Sequence, residues 1–162
     1  MDYQPIQGSS IHKRKTKKRF LFIKVIMIIL WGLFLLVNTW TESIERLIYL
    51  HSFSLKWVSN PNFMSFFNFH DITLIHSEFI KIKLGHFIGF AIMDYLLFNL
   101  LRNHKYSIGL STIFAFLTEF LQLFFDRDGR FYDLVIDSLG IISVFFILKE
   151  RNLDDTKKEF FR

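Results

Sequence analysis

The sequence contains no cysteine, and only two prolines and seven glycines occur among its 162 residues. The absence of cysteine excludes disulfide scaffolds, cysteine-ligated zinc sites and thiol nucleophiles. The low proline and glycine content excludes collagen-like and Pro/Gly-rich disordered chains. Runs of the H-E-x-x-H, G-x-S-x-G, GxGxxG and P-loop types are also missing, so no common catalytic motif identifies the chain.

Apolar residues are abundant: they make up 51% of the chain, and 22 residues are phenylalanine. Soluble domains reach about 45–50% only when glycine is included. The apolar residues form four segments, at 20–40, 84–101, 108–125 and 131–148. At about 1.5 Å per residue, each can cross a hydrocarbon core roughly 30 Å thick. Four strands cannot close a barrel. The sequence therefore predicts an all-α integral membrane bundle of four transmembrane helices.

The distribution of Lys and Arg predicts the orientation of these spans. The net charge is +5, and most basic residues lie before residue 20, between spans two and three, or after residue 148. Because cytoplasmic loops are rich in Lys and Arg, we expect both termini in the cytoplasm of a multi-pass cell-membrane protein. Residues 1–19 then form a basic cytoplasmic N-terminus and residues 149–162 a cytoplasmic tail. The basic run is a topology signal in this interpretation, with no role in binding nucleic acid, and the first span is an uncleaved anchor.

The predicted outer loop, residues 41–82, is rich in aromatic side chains around the Asn60–Pro61 turn: Phe53, Trp57, Phe63, Phe66, Phe67 and Phe69. Aromatic residues at this density are typical of the headgroup region. The loop is predicted to be an interfacial segment, and a lid over an outward-facing site is the alternative.

Ionisable residues inside the spans are the main indication of a functional site, because burying them in a membrane is costly. Counted along the helices, the polar groups of three spans reach one level in the outer third of the membrane, whereas Asp94 lies near the midplane. Their helical spacing also places them on helix–helix faces. We therefore expect an outward-facing polar pocket formed by Lys83, His86, Glu119, Gln122, Asp133 and Asp137. The same side chains are also compatible with a purely structural role, in which they pair and fasten the bundle.

Three short patterns in residues 79–148 resemble motifs of VanZ-like membrane proteins. Lys83 and His86 match a Lys-x-x-His-Phe run, and Glu119 with Gln122 matches a Glu-x-x-Gln pair. Residues 133–140 are similar to Asp-x-x-x-Asn-x-x-Gly, preceded by a loop with an arginine. The chain departs from these patterns at Asp137, where most members have asparagine, and at Gly89, where many have a carboxylate. The loop arginine is Arg127 or Arg130, and Arg127 has the better spacing to Asp133.

The resemblance implies a bacterial envelope protein that lowers susceptibility to lipoglycopeptide antibiotics such as teicoplanin, since the name-giving member confers teicoplanin resistance. The expected partner is a membrane lipid or lipid-linked cell-wall precursor, with Lys83 and an arginine on its phosphate. The expected ligand-binding residues are Lys83, His86, Glu119, Gln122, Arg127, Arg130, Asp133 and Asp137.

Two other functions remain open at this stage. One is a membrane hydrolase or transferase, with His86 and Glu119 as acid/base candidates and Asp133 and Asp137 as metal ligands. The other is a small proton-coupled transporter that uses Asp94 and Glu119. The catalytic candidates are accordingly His86, Glu119, Asp133 and Asp137, whereas the sequence assigns no cofactor, no particular metal and no oligomeric state.

Overall fold

The computed structural model describes residues 7–40, 57–69, 77–125 and 129–160. These residues form four α-helices, which are α1 (Gln7–Trp40), α2 (Ser77–Leu101), α3 (His104–Gln122) and α4 (Phe131–Phe160). Two 3-10 helices, Phe63–Phe67 and Leu123–Phe125, lie beside them, and the described ranges contain no strand. Each α-helix contributes to a segment long and apolar enough to cross a membrane, at Thr16–Asn38, Phe79–Leu101, His104–Phe125 and Phe131–Arg151. The predicted all-α class with four candidate membrane helices is confirmed.

The helices extend beyond the apolar segments that predicted them. α1 begins within the basic N-terminus, and α4 continues through the polar tail to Phe160. α2 begins at Ser77, so its first residues lie within the predicted outer loop 41–82. Lys, Arg and Glu are good helix formers, so a helix can continue past the membrane, whereas apolar residues mark only the part within the hydrocarbon.

α2 occupies the centre of the bundle, where it packs most extensively against α4, then against α3 and α1. α1 is peripheral and exposes most of its apolar side chains, as expected for a helix surrounded by lipid. It docks on α2 through Trp31, whose Nε1 donates to the Gly89 carbonyl oxygen at 2.9 Å. At the C-terminal end of α2, Lys24 Nζ donates to the Asn99 carbonyl oxygen at 2.9 Å, where a cation is also favoured by the helix dipole.

A short turn reverses the chain between α2 and α3. Arg102 adopts a left-handed conformation with φ of 56°, and its N–H donates to the Phe98 carbonyl oxygen at 2.8 Å. The Asn103 side chain then caps α3 by accepting from the Lys105 N–H at 3.0 Å, as is typical of an N-cap residue. This turn makes α2 and α3 antiparallel neighbours, so the start of α2 lies at the same end of the bundle as the end of α3.

The three central helices meet in stacked layers one helical turn apart. Phe90, Ala115 and Ile141 form a buried apolar layer in the core. One turn further toward the α2–α3 turn, Asp94 and Ser111 are fully buried as well. One turn in the other direction lies a polar layer at the end of the bundle where α3 stops and α4 starts, called here the α3–α4 end.

Candidate functional site

Side chains from three helices and the loop before α4 meet at the α3–α4 end. They form a polar cluster that is defined by Lys83, His86, Glu119, Gln122, Arg130, Asp133 and Asp137. The structure thus brings together every described residue that the sequence predicted to bind a ligand. Arg127, the eighth, lies outside the described residues, so the choice between the two loop arginines stays a prediction, although Arg130 is part of the cluster.

Lys83 and Asp133 form an ion pair between α2 and α4. The Lys83 Nζ lies 2.6 Å from Asp133 Oδ1 and 2.8 Å from Oδ2. The ammonium also lies over the rings of Phe79 and Tyr132, at 5.0 and 4.8 Å from their centroids, so cation–π attraction adds to the ion pair. The Lys83 side chain is 17% exposed, and the Asp133 side chain is 5% exposed. The pair fixes the rotation of α2 relative to α4.

His86 connects all three helices of the cluster. Its Nδ1 lies 3.2 Å from Asp137 Oδ1 on α4 and 3.7 Å from Glu119 Oε1 on α3. Both carboxylates have fully buried side chains, whereas 18% of the His86 side chain is exposed. The shorter distance fits a hydrogen bond, and the longer one is an electrostatic contact.

Glu119 is further held by donors from its own helix and from the loop before α4. Gln122 Nε2 donates to Oε1 at 3.2 Å, and the Arg130 backbone N–H donates to Oε2 at 3.2 Å. The second bond depends on Gly129, because a methyl group there would overlap the Glu119 carbonyl oxygen. Gly129 therefore lets the loop approach α3 closely enough for its backbone to bind the carboxylate.

The aromatic segment, residues 57–69, packs against the α3–α4 end. Its Val58 N–H donates to the Phe124 carbonyl oxygen at 2.8 Å, and the buried Phe66 ring lies edge-on to Phe131, with centroids 6.0 Å apart. Arg130 Nη1 donates to the Ser65 carbonyl oxygen at 3.1 Å. This contact joins the segment to the polar cluster. Phe53, the remaining aromatic residue of the prediction, falls outside the part that the structure describes.

The carboxylates of the cluster face their partners within the bundle. Glu119 and Asp137 are fully buried and Asp133 is 3% exposed. Lys83 and His86 are therefore the most exposed members of the cluster. The seven side chains form a packed cluster, and Lys83 and His86 contribute most of its exposed surface.

Asp94 belongs to a second polar group beyond the apolar layer. Ser111 Oγ donates to Asp94 Oδ1 at 3.3 Å, and Ser107 on the same helix is fully buried as well. Ala115 is fully buried and lies between the two groups on α3, one helical turn from Ser111 and one from Glu119. Sequence reasoning placed Asp94 near the midplane but missed the buried Ser107. Spacing from Ser111 could have indicated Ser107, because the two are four residues apart on one face of α3.

Sequence reasoning also missed the contributions of Gly129 and Ser65. Gly129 acts by having no side chain, and the Asp-Gly pair of the sequence at 128–129, typical of turns, was the signal available. Ser65 contributes through its backbone carbonyl, which a sequence does not mark.

Comparisons with known proteins agree with these observations. The family model described as VanZ/LLP1 matches residues 11–152. The uncharacterized membrane protein YwnJ of Bacillus subtilis (strain 168) is 33% identical over 113 residues, which cover 68% of this chain and 79% of that protein. No solved structure matches the chain.

Proposed function

This chain belongs to the VanZ/LLP1 family of membrane proteins, and on that premise we propose that it binds the anionic headgroup of a lipid-linked cell-wall precursor. Binding at the outer membrane face lowers susceptibility to lipoglycopeptide antibiotics such as teicoplanin. The polar cluster provides the binding site.

The observation that carries this proposal is the distribution of exposure within the cluster. Its acidic side chains are buried, whereas those of Lys83 and His86 are 17% and 18% exposed, so an approaching ligand meets these two basic side chains first. An ammonium has three N–H donors and is a common phosphate ligand. Asp133 holds Lys83 in place from behind, and His86 is held by the two carboxylates. A phosphate diester would therefore find donors that are already oriented, which reduces the entropic cost of binding.

The aromatic segment supports a ligand with a lipid tail. Although the segment packs on the bundle, more than half of the surface stays exposed in each of Trp57, Phe63 and Phe67. Tryptophan and other aromatic side chains are favoured at headgroup level. Since Ser65 of this segment contacts Arg130, the segment lies close enough to hold a lipid whose headgroup occupies the cluster.

The proposal requires the α3–α4 end to face outward, which the absence of native cysteine makes directly testable. Single cysteines at Asn60 and Lys105 are expected to label oppositely with a membrane-impermeant maleimide in intact cells. Asn60 lies in the aromatic segment and should react, whereas Lys105 lies at the opposite end and should react only after cells are opened. Both side chains are exposed, so access is limited by the membrane. Labelling of Lys105→Cys but not Asn60→Cys in intact cells would show the reverse orientation.

The functional test compares antibiotic susceptibility in a bacterium that lacks relatives of this protein. Wild type is expected to protect several-fold against teicoplanin and little against vancomycin. Glu119→Gln should lose the protection, because removing this charge releases His86 and the start of α4. Asp94→Asn is the matched control: it neutralises an equally buried acid outside the cluster and should keep the protection.

Membrane levels of all variants are compared by immunoblot, since loss of the protein would mimic loss of function. Absence of protection from well-expressed wild type would refute the proposed function. Equal protection by Glu119→Gln and wild type would show that the cluster is not the site.

A further inference from the structure

We propose that His86, Glu119 and Asp137 bind a divalent transition-metal ion between α2, α3 and α4. One possible ligand atom from each residue lies within 4.8 Å of the others. This inference concerns the interior of the polar cluster and does not rest on the proposed binding of lipid or on antibiotic resistance.

The distances suit coordination by one nitrogen and two oxygens. Zn–N and Zn–O bonds of about 2.0–2.2 Å place neighbouring tetrahedral ligands roughly 3.3–3.6 Å apart. His86 Nδ1 is 3.2 Å from Asp137 Oδ1 and 3.7 Å from Glu119 Oε1. A cation placed among these atoms would reach all three with small side-chain rotations. A set of one imidazole and two carboxylates favours zinc, manganese or iron over magnesium or calcium.

Hydrogen bonding leaves part of this site unsatisfied. Nδ1 is one atom and donates at most one hydrogen, so it cannot bond to both carboxylates. Asp137 Oδ2 is buried and has no hydrogen-bond partner among the described residues. A buried carboxylate oxygen left without a partner is costly, and a metal ion held by both oxygens of Asp137 would remove that cost.

The surroundings hold the three ligands in the way metal sites require. Glu119 accepts from Gln122 Nε2 and from the Arg130 backbone N–H, and such outer contacts orient metal ligands. The ion pair with Lys83 engages Asp133, so Asp133 is not part of the metal set. Three protein ligands leave a fourth position for water or an anion.

The test measures metal in the full-length protein, purified in non-ionic detergent with a tag that contains no histidine. After incubation with excess Zn²⁺ and gel filtration, the wild type is expected to retain about one Zn²⁺ per chain by mass spectrometry. Asp137→Asn and His86→Ala should bind Zn²⁺ at least about 100-fold more weakly, because loss of an outer contact alone costs 10–100-fold. Asp94→Asn, the matched control, should bind as wild type does. Zn²⁺ should also raise the thermal midpoint of the wild type and leave that of Asp137→Asn unchanged.

If His86→Ala does not fold, the comparison of wild type with Asp137→Asn is sufficient for the test, because the amide nearly preserves the shape of the carboxylate. The inference would be overturned if monodisperse wild type retained only background amounts of Zn²⁺ and, in parallel incubations, only background amounts of Mn²⁺ and Fe²⁺. Wild-type affinity in folded Asp137→Asn would overturn it as well. Neither result would bear on the antibiotic test, which needs no added metal.

Discussion

Replacement of Lys83 by methionine is expected to lower the free energy of unfolding by up to about 3–5 kcal/mol, the cost of removing one partner from a buried ion pair, because the Asp133 end of this part-buried pair is only 5% exposed. Methionine keeps most of the apolar stem of lysine but lacks the ammonium that lies over Phe79 and Tyr132. The loss therefore arises mainly from Asp133, whose side chain is 5% exposed and would be left without its ion-pair partner.

A double variant separates this charge effect from packing. In Lys83→Met/Asp133→Leu both charges are absent, so most of the lost stability should return, since apolar pairs often replace buried ion pairs without loss. Thermal unfolding in detergent measures the midpoints. We expect the wild type and the double variant to have similar midpoints and Lys83→Met to have a much lower one. A Lys81→Met variant is the control, because Lys81 is exposed two residues earlier on the same helix.

The same double variant also distinguishes structure from function. It should fold, yet it lacks the ammonium that is proposed to bind phosphate, and it should therefore give no protection against teicoplanin. A single variant as stable as wild type would contradict the importance of the pair. A stable double variant that still protects would exclude Lys83 from the binding site.

Gly140→Ala is expected to have the second-largest effect, because it separates the two helices that share the most contact. Gly140 on α4 packs against the backbone of Phe87 on α2, and a methyl group there would overlap the Phe87 carbonyl oxygen. Backbone cannot rotate away as a side chain can, so α2 and α4 must move apart. Overpacking of this kind costs about 1–3 kcal/mol, occasionally more.

The separation would also pull Lys83 and His86 away from their partners on α4. Gly140→Ala should therefore lower both the thermal midpoint in detergent and the amount of Zn²⁺ retained. Gly85→Ala is the matched control: it adds the same methyl group to α2 where no atom lies within 4 Å. Alanine is also the better helix former by about 1 kcal/mol, so this control should be neutral or stabilising. Equal midpoints for the two variants would show that the close contact at Gly140 does not limit stability.

The helices of this protein were predictable because their signal is local. A run such as residues 131–148 is too apolar for water and long enough for a bilayer, whichever helices surround it. The ends were not predictable to the same degree: α2 begins at Ser77 because helix propensity continues where apolarity stops. The glycines show the same limit, since Gly85 and Gly140 look equivalent in sequence, yet only a methyl group at Gly140 would meet backbone.

The sequence by itself determined the membrane class, the four apolar helices and the set of polar residues that their spacing brings to one level. Helical periodicity alone assigns Glu119 and Gln122 to one face, and that periodicity needs no knowledge of neighbouring helices. The pairing was decided only by the tertiary structure: Asp133 lies with Lys83, whereas Asp137 lies with His86 and Glu119. These acids are one helical turn apart on α4, and their partners depend on the rotation and depth of α2 against it. That rotation is set by contacts between distant residues, such as Gly140 against Phe87, and a local pattern contains no information about them.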